Sequence, residues 1–304
     1  MKNYEKLKKL HNQIDTLLDA NTTSSSHEFK SWHAECISFI TNYYGKSRGI
    51  VNLNLSVEEG DFFGFIGPNG AGKSTTIRIL LGLITPTSGS ARIWNMDCGL
   101  SKTQILRQVG YMPSEAFYYD DMKVKDVIRF AADARKMDCR EEATRICDLL
   151  EVDKNKKIQE LSLGNRKKVS IVCAMQHKPK LLILDEPTSG LDPLMQEAFF
   201  KLILEYNRQG TTCFLSSHVL SEIKRYCKNA AIIREGKIIR TDTVENLAKS
   251  DMRRVKIREH GQQKEFVHTG SMKELLEKLS GMELEDLLIE EPSLDEIFMH
   301  YYEH

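Results

Sequence analysis

Residues 67–75 read GPNGAGKST, and no other stretch restricts the fold of this 304-residue chain as tightly. The run matches GxxxxGK[ST]. It follows an apolar strand-like segment, FFGFI at Phe62–Ile66, and precedes residues with Ile77, Leu80 and Leu81 at helical spacing. A strand, a glycine-rich loop and a helix in that order turn backbone N–H groups inward around an anion. The positive end of the helix points at the same place. Gly67, Pro68, Asn69, Gly70, Ala71, Gly72, Lys73, Ser74 and Thr75 are therefore the expected phosphate-binding residues. Lys73 is placed for the β- and γ-phosphates of a nucleotide and the Ser74 hydroxyl for Mg2+.

A second pattern supplies the chemistry that such a loop lacks. Residues 181–193 (LLILDEPTSGLDP) form a hydrophobic strand that delivers Asp185 and Glu186 at its C-terminal end, and that edge is where ligands bind in open α/β sheets. Asp185 is expected to hold Mg2+, directly or through water. Glu186, one position on, can polarise a water attacking the γ-phosphate. His218 follows another apolar strand, CFLSS at 213–217, where it can reach the γ-phosphate or orient the water.

Three apolar runs, at 181–185, 213–217 and 230–234, are nearly continuous, as strands buried on both faces are. They predict an α/β core with parallel strands. Between about 115 and 178 the periodicity is helical, with candidates at 124–137, 141–152 and 164–178. Before the core, residues 4–19 describe an amphipathic helix, and short β-rich runs begin near 35. After it, strands near 255–258 and 265–268 accompany two capping boxes, Ser271 with Glu274 and Ser293 with Glu296.

Composition removes other classes. The chain carries 43 Lys+Arg and 43 Asp+Glu, so no global cationic field draws it to nucleic acid or acidic lipid. Seven scattered cysteines without CxxC spacing indicate neither a disulfide framework nor a zinc site. No signal-peptide pattern and no long apolar window is present, so the expected location is cytosolic, with any membrane association made through another polypeptide.

Taken in order, the loop at 67–74, LSLGN at 161–165, the Asp185-Glu186 strand, SGLD at 189–192 and His218 resemble the nucleotide-binding subunits of ATP-binding-cassette transporters, over roughly residues 36–240. The resemblance implies a P-loop NTPase core at 35–240 with a helical signature subdomain at about 115–178. It leaves an N-terminal helical extension at 1–34 and a small α+β appendage at 241–304. It further implies MgATP hydrolysis in a head-to-tail dimer, with itself or a homologous ATPase subunit, in which Ser162, Leu163, Gly164 and Asn165 complete the ATP site of the opposite subunit. Asp192 would couple the two sites; read by itself, it is a helix cap. Tyr44, with Tyr43 as the competing choice, resembles the adenine-stacking aromatic. An integral membrane permease is the implied partner, placing the chain on the inner face of the cell membrane. The ending at 290–302 (EEPSLDEIFMHYY) resembles subunits that serve exporters.

The chain departs from the family pattern at two points. After VGYMP (109–113) the family has a Gln that touches Mg2+ and the attacking water, whereas Ser114 and Glu115 stand here, so either a water fills the gap or Glu115 substitutes. In the signature, Leu163 replaces a Gly and Asn165 a Gln. The cluster Arg166-Lys167-Lys168 reads as a solvated face or a support for nucleotide charge. Two rival functions are a soluble cassette ATPase acting on ribosomes or DNA, disfavoured by the single motif set, and a regulatory ATP-binding module, disfavoured by Glu186 and His218.

Overall fold

The computed structural model describes Ile50, residues 53–248 and residues 252–290. In chain order the core runs β1 (Phe62–Ile66), α1 (Lys73–Leu80), a β2–β3 ribbon (Arg92–Ile93, Met96–Asp97), α2 (Lys102–Gln108) and β4 (Val109–Met112). Three helices follow, α3 (Val124–Asp133), α4 (Arg140–Leu149) and α5 (Leu163–Met175). The core then resumes with β5 (Leu181–Asp185), α6 (Pro193–Arg208), β6 (Thr212–Ser217), α7 (Leu220–Tyr226), β7 (Asn229–Arg234), β8 (Lys237–Thr243) and α8 (Val244–Ala248). The C-terminal elements are β9 (Met252–Glu259), β10 (Gln262–Thr269), α9 (Met272–Leu279) and β11 (Leu284–Glu290).

The main sheet has the order β4-β5-β6-β1-β7-β8. Its first five strands are parallel and β8 closes it antiparallel to β7. Side-chain alternation sends Phe62, Leu182, Leu184, Cys213, Leu215 and Ile232 to one apolar layer, and Phe63, Phe65, Ile183, Phe214 and Ile233 to the other. The first layer takes in α3 to α7; the second takes in α1 and α2 through Ile77 and Ile105. Both faces are thus covered, which is why these strands read as unbroken apolar runs rather than alternating ones.

Two glycines bring helices close to this sheet. A Cβ on Gly64 would lie 2.7 Å from Ile223 of α7, and one on Gly110 would lie 2.2 Å from the Ala174 carbonyl of α5. The α5 backbone therefore sits directly on β4. Across the helical layer, Glu142 of α4 accepts hydrogen bonds from Arg145 at 2.6 Å and from the Tyr206 hydroxyl of α6 at 2.5 Å. Both partners satisfy a largely buried carboxylate.

The expected helices are present but shorter. The segments expected at 124–137, 141–152 and 164–178 end as helix at Asp133, Leu149 and Met175. Within three residues of each end stands a non-glycine residue in the left-handed region, Lys136 (φ 56°), Glu151 (φ 52°) and Lys178 (φ 50°). A left-handed residue ends a helix, and glycine is its usual signal. Strands β4, β8 and β11 and the β2–β3 ribbon go beyond the sequence reading, whereas the described residues from 53 to 61 contain no strand. At the C-terminal end β9 pairs antiparallel with β10 and β11. Val255, Ile257, Leu275 and Leu279 form a separate small core there. The Ser271 capping box is present, with Ser271 Oγ 3.2 Å from the Glu274 N–H. The N-terminal helix at 4–19, Tyr43, Tyr44 and the capping box at Ser293 lie outside the described residues.

His177, just after α5, is 5% exposed and donates from Nε2 to the Val109 carbonyl at 3.2 Å, while its Nδ1 is buried without a partner. Burial pushes its pKa down to about 4, with the Arg135 charge adding to the effect. The unfolded chain takes up this proton near pH 6.5 and the folded chain does not, so stability falls as pH drops from about 6.5 towards 4. We expect the parent to lose about 2 kcal/mol between pH 7.5 and pH 5 through this group. Urea denaturation of parent and His177→Gln at both pH values checks this: the gap between them should narrow at pH 5 by that amount, and a constant gap contradicts it.

Candidate functional site

Because β1, β5, β6 and β4 are parallel, their C-terminal ends meet along one edge. Ile66 is registered with Ser217, Asp185 with Ser216, and Met112 with Leu184. The segments that follow, beginning at Gly67, Glu186, His218 and Pro113, are therefore neighbours. The phosphate-loop residues, Asp185, Glu186, His218 and the Ser114 turn follow those ends, whereas Ser162–Asn165 and Asp192 open two helices and Tyr44 lies outside the described residues.

The loop after β1 needs its glycines. A Cβ on Gly67 would meet the Ile233 carbonyl at 2.4 Å, and Gly70 and Gly72 have φ of 82° and 110°, which other residues rarely adopt. Gly72 caps α1, and the helix opens with Lys73, Ser74 and Thr75 and has no acidic residue in its first turn. Lys73 is buried. Its Nζ turns back into the loop to donate to the Gly67 carbonyl at 2.6 Å and to that of Pro68 at 3.3 Å. A concave loop with a cation held in its mouth and a helix dipole behind it suits a phosphate chain.

Asp185 closes β5 as a buried carboxylate, and the fully buried Ser216 hydroxyl donates to its Oδ1 at 3.0 Å. Glu186 takes φ 49°. For a residue with a side chain that conformation costs about 1–2 kcal/mol and persists only where neighbours fix it. Its N–H donates to the Ser216 carbonyl at 2.9 Å. The turn throws its carboxylate across the strand ends, with Oε1 3.3 Å from Lys73 Nζ and Oε2 2.5 Å from His218 Nδ1. His218 is held by the β6–α7 turn, in which Ser217 Oγ accepts from the Val219 N–H at 2.9 Å and donates to Glu222 at 2.9 Å. One carboxylate thus bridges the loop lysine and the strand-end histidine.

The 161–165 turn opens α5. Ser162 is its N-cap, accepting from the Asn165 N–H at 3.3 Å, and Leu163 is 66% exposed. Gly164 packs on the 189–192 turn of the same chain: a Cβ there would lie 3.1 Å from the Gly190 carbonyl, and one on Gly190 would lie 3.2 Å from Leu163. Asp192 caps α6, accepting from the Met195 N–H at 3.0 Å, in keeping with its reading as a helix cap. Ser114 and Glu115 are both exposed.

The basic cluster corrects an expectation. Lys167 is neither a solvated face nor free to support nucleotide charge, for it is 3% exposed. Its ammonium group donates to the carbonyls of Ser114 at 2.6 Å, Glu186 at 3.3 Å and Pro113 at 3.4 Å. Burial pulls its pKa below the ordinary lysine value, opposed by the charges of Asp185, Glu186 and Glu115. The signal was available: Lys167 precedes Ser170, Ile171 and Ala174 by three, four and seven residues, on the buried stripe of α5.

Comparisons with known proteins identify the family. The family described as ABC transporter matches residues 50–189. The bacitracin transport ATP-binding protein of Bacillus licheniformis is 36% identical over 232 residues, covering 75% of this chain and 76% of that protein. The linearmycin resistance ATP-binding protein of Bacillus subtilis is 31% identical over 213 residues, covering 68% of each. Among solved structures, an ATP-binding subunit of an ABC transporter superposes with a TM-score of 0.61 at 31% identity, over 65% of this chain and 85% of the other. The chain belongs to the ABC transporter family, as one of its ATP-binding, ATP-hydrolysing subunits.

Proposed function

We propose that this subunit powers export through a separate integral membrane permease, closing on MgATP with a second ATPase subunit and reopening after hydrolysis. The observation that carries the hydrolytic step of this reading is the Glu186 carboxylate held between Lys73 and His218 at the strand edge. The loop amides and Lys73 bind the β- and γ-phosphates, whose oxygens are stronger acceptors than the Gly67 and Pro68 carbonyls. Lys73 then turns to the phosphates, and Glu186 is left to accept the proton of a water attacking the γ-phosphorus while His218 holds the carboxylate in place. The water oxygen bonds to phosphorus and the bond to the ADP oxygen breaks.

The Ser74 hydroxyl and the buried Asp185 carboxylate are hard oxygen donors on the same edge, the set that Mg2+ takes. Bound there, Mg2+ neutralises developing charge on the phosphate oxygens. Ser162, Leu163, Gly164 and Asn165 serve the ATP of the opposite subunit, and the 189–192 turn carries Asp192 to the same interface. Leu163 and Leu194, 66% and 81% exposed, flank these turns and favour a covered surface over a solvated one. Tyr44 is assigned to adenine, Ser114 and Glu115 to the turn that senses the permease, residues 241–304 to an accessory role, and the inner face of the membrane as the place of action. Export is favoured by the antibiotic transport and resistance named in two relatives. Among the described residues no helix is long and apolar enough to cross a membrane.

Tagging the chain and extracting it from native membranes in mild detergent with ATP tests this reading. A stoichiometric multi-span protein is expected to co-purify; ribosomes, nucleic acid or no partner would overturn it. Glu186→Gln should lower the turnover number by about 10²- to 10⁴-fold while retaining ATP binding, read by steady-state phosphate release alongside nucleotide titration. Ser216→Ala removes the hydrogen bond that orients Asp185. It should raise the Mg2+ concentration for half-maximal turnover by about 10- to 100-fold, and an unchanged Mg2+ requirement would separate Asp185 from the metal.

A further inference from the structure

We propose that Lys167 is a positioning residue: its ammonium group ties the helix that opens with the signature turn to the 113–114 turn and to the peptide of Glu186, and so holds the Glu186 carboxylate at the attacking water. The inference rests on the role given to Glu186 above.

An ammonium has three N–H donors, and here they face three main-chain carbonyls on two segments remote from Lys167 in sequence. Packing alone does not call for this. The buried stripe of α5 continues through Ile171, Ala174 and Met175, and an apolar side chain at 167 would fill it without placing a charge 3% exposed in the interior. The ammonium group ends where the left-handed Glu186 turn needs fixing. Two donors meet the Glu186 carbonyl, Lys167 Nζ at 3.3 Å and the Ser189 N–H at 3.4 Å, and the Ser216 carbonyl holds the Glu186 N–H from the other side. Both peptides of the turn are thereby fixed, and the carboxylate direction follows from them.

The same side chain addresses the departure at Ser114. A glutamine there would reach the site through its side chain, but Lys167 grips the main-chain carbonyl at 2.6 Å, a contact indifferent to which side chain stands at 114. A displacement of the 113–115 turn is then passed to Glu186 through one ammonium group. A displacement of α5 at its signature end moves that group directly.

The test compares parent, Lys167→Met, Glu186→Gln and the double variant of the full chain, by single-turnover ATP hydrolysis and by titration with a fluorescent ATP analogue. Lys167→Met keeps the stem and removes the donors. It should slow single turnover by about 10- to 100-fold with the analogue's affinity within about twofold of the parent. In the Glu186→Gln background it should produce no further loss. Lys167→Gln, a bond shorter and unable to span both segments, should show the same non-additivity in milder form and stands in if the methionine variant does not fold. Unchanged turnover, a loss that appears only as weakened nucleotide binding, or a loss that multiplies in the Glu186→Gln background would each overturn the proposal. If Glu186→Gln itself leaves turnover intact, the assignment of Glu186 fails first. If Glu186→Gln loses turnover as expected while the Lys167 variants match the parent, only Lys167 is misassigned.

Discussion

The parallel register among β1, β5 and β6 is the constraint on which the site depends. Ile66 opposite Ser217 and Asp185 opposite Ser216 bring the phosphate loop, the two carboxylates and His218 to one line of strand ends. Side chains alternate along a strand, so a one-residue slip of β5 would exchange its two apolar faces and carry Asp185 away from Ser216. The register is held by burial on both faces. Phe63 stacks on Phe214 across the β1–β6 pair with ring centroids 6.0 Å apart, and Phe65 meets the same ring at 5.2 Å. The most apolar part of the molecule thus positions its most polar part.

The sequence was most readable where one physical demand dominated. The loop at 67–75 announces itself because close backbone approach and positive φ exclude side chains at fixed positions. The core strands announce themselves because two-sided burial removes polar residues from them. Helix ends were poorly readable because Lys136, Glu151 and Lys178 take the left-handed conformation that glycine would have advertised. Strand β4 is four residues long and contains Gly110, whose small size serves the contact with α5 rather than the strand pattern.

Polar residues at the site divide in the same way. Lys73, Asp185, Glu186 and His218 were found because each ends or follows a recognisable element. Lys167 was missed because charge was weighed before helical position, although its own periodicity put it inside. The bend at Glu186 had no sequence signal, since the αL conformation of a glutamate is imposed by tertiary contacts and not by local preference. Where a residue stands was therefore legible, and what its main chain does there was not.

The close approach of Gly164 to the Gly190 carbonyl has a mechanical meaning. Two turns that resemblance assigns to the dimer interface touch each other within one subunit, Gly164 against the Gly190 carbonyl and the Leu163 side chain against Gly190. Such a contact transmits compression, so a push on one turn is felt by the other. A partner pressing on the signature turn would also press on the start of α6. If the two turns serve the two nucleotide sites as the resemblance implies, their mutual contact within one subunit offers a direct path between those sites.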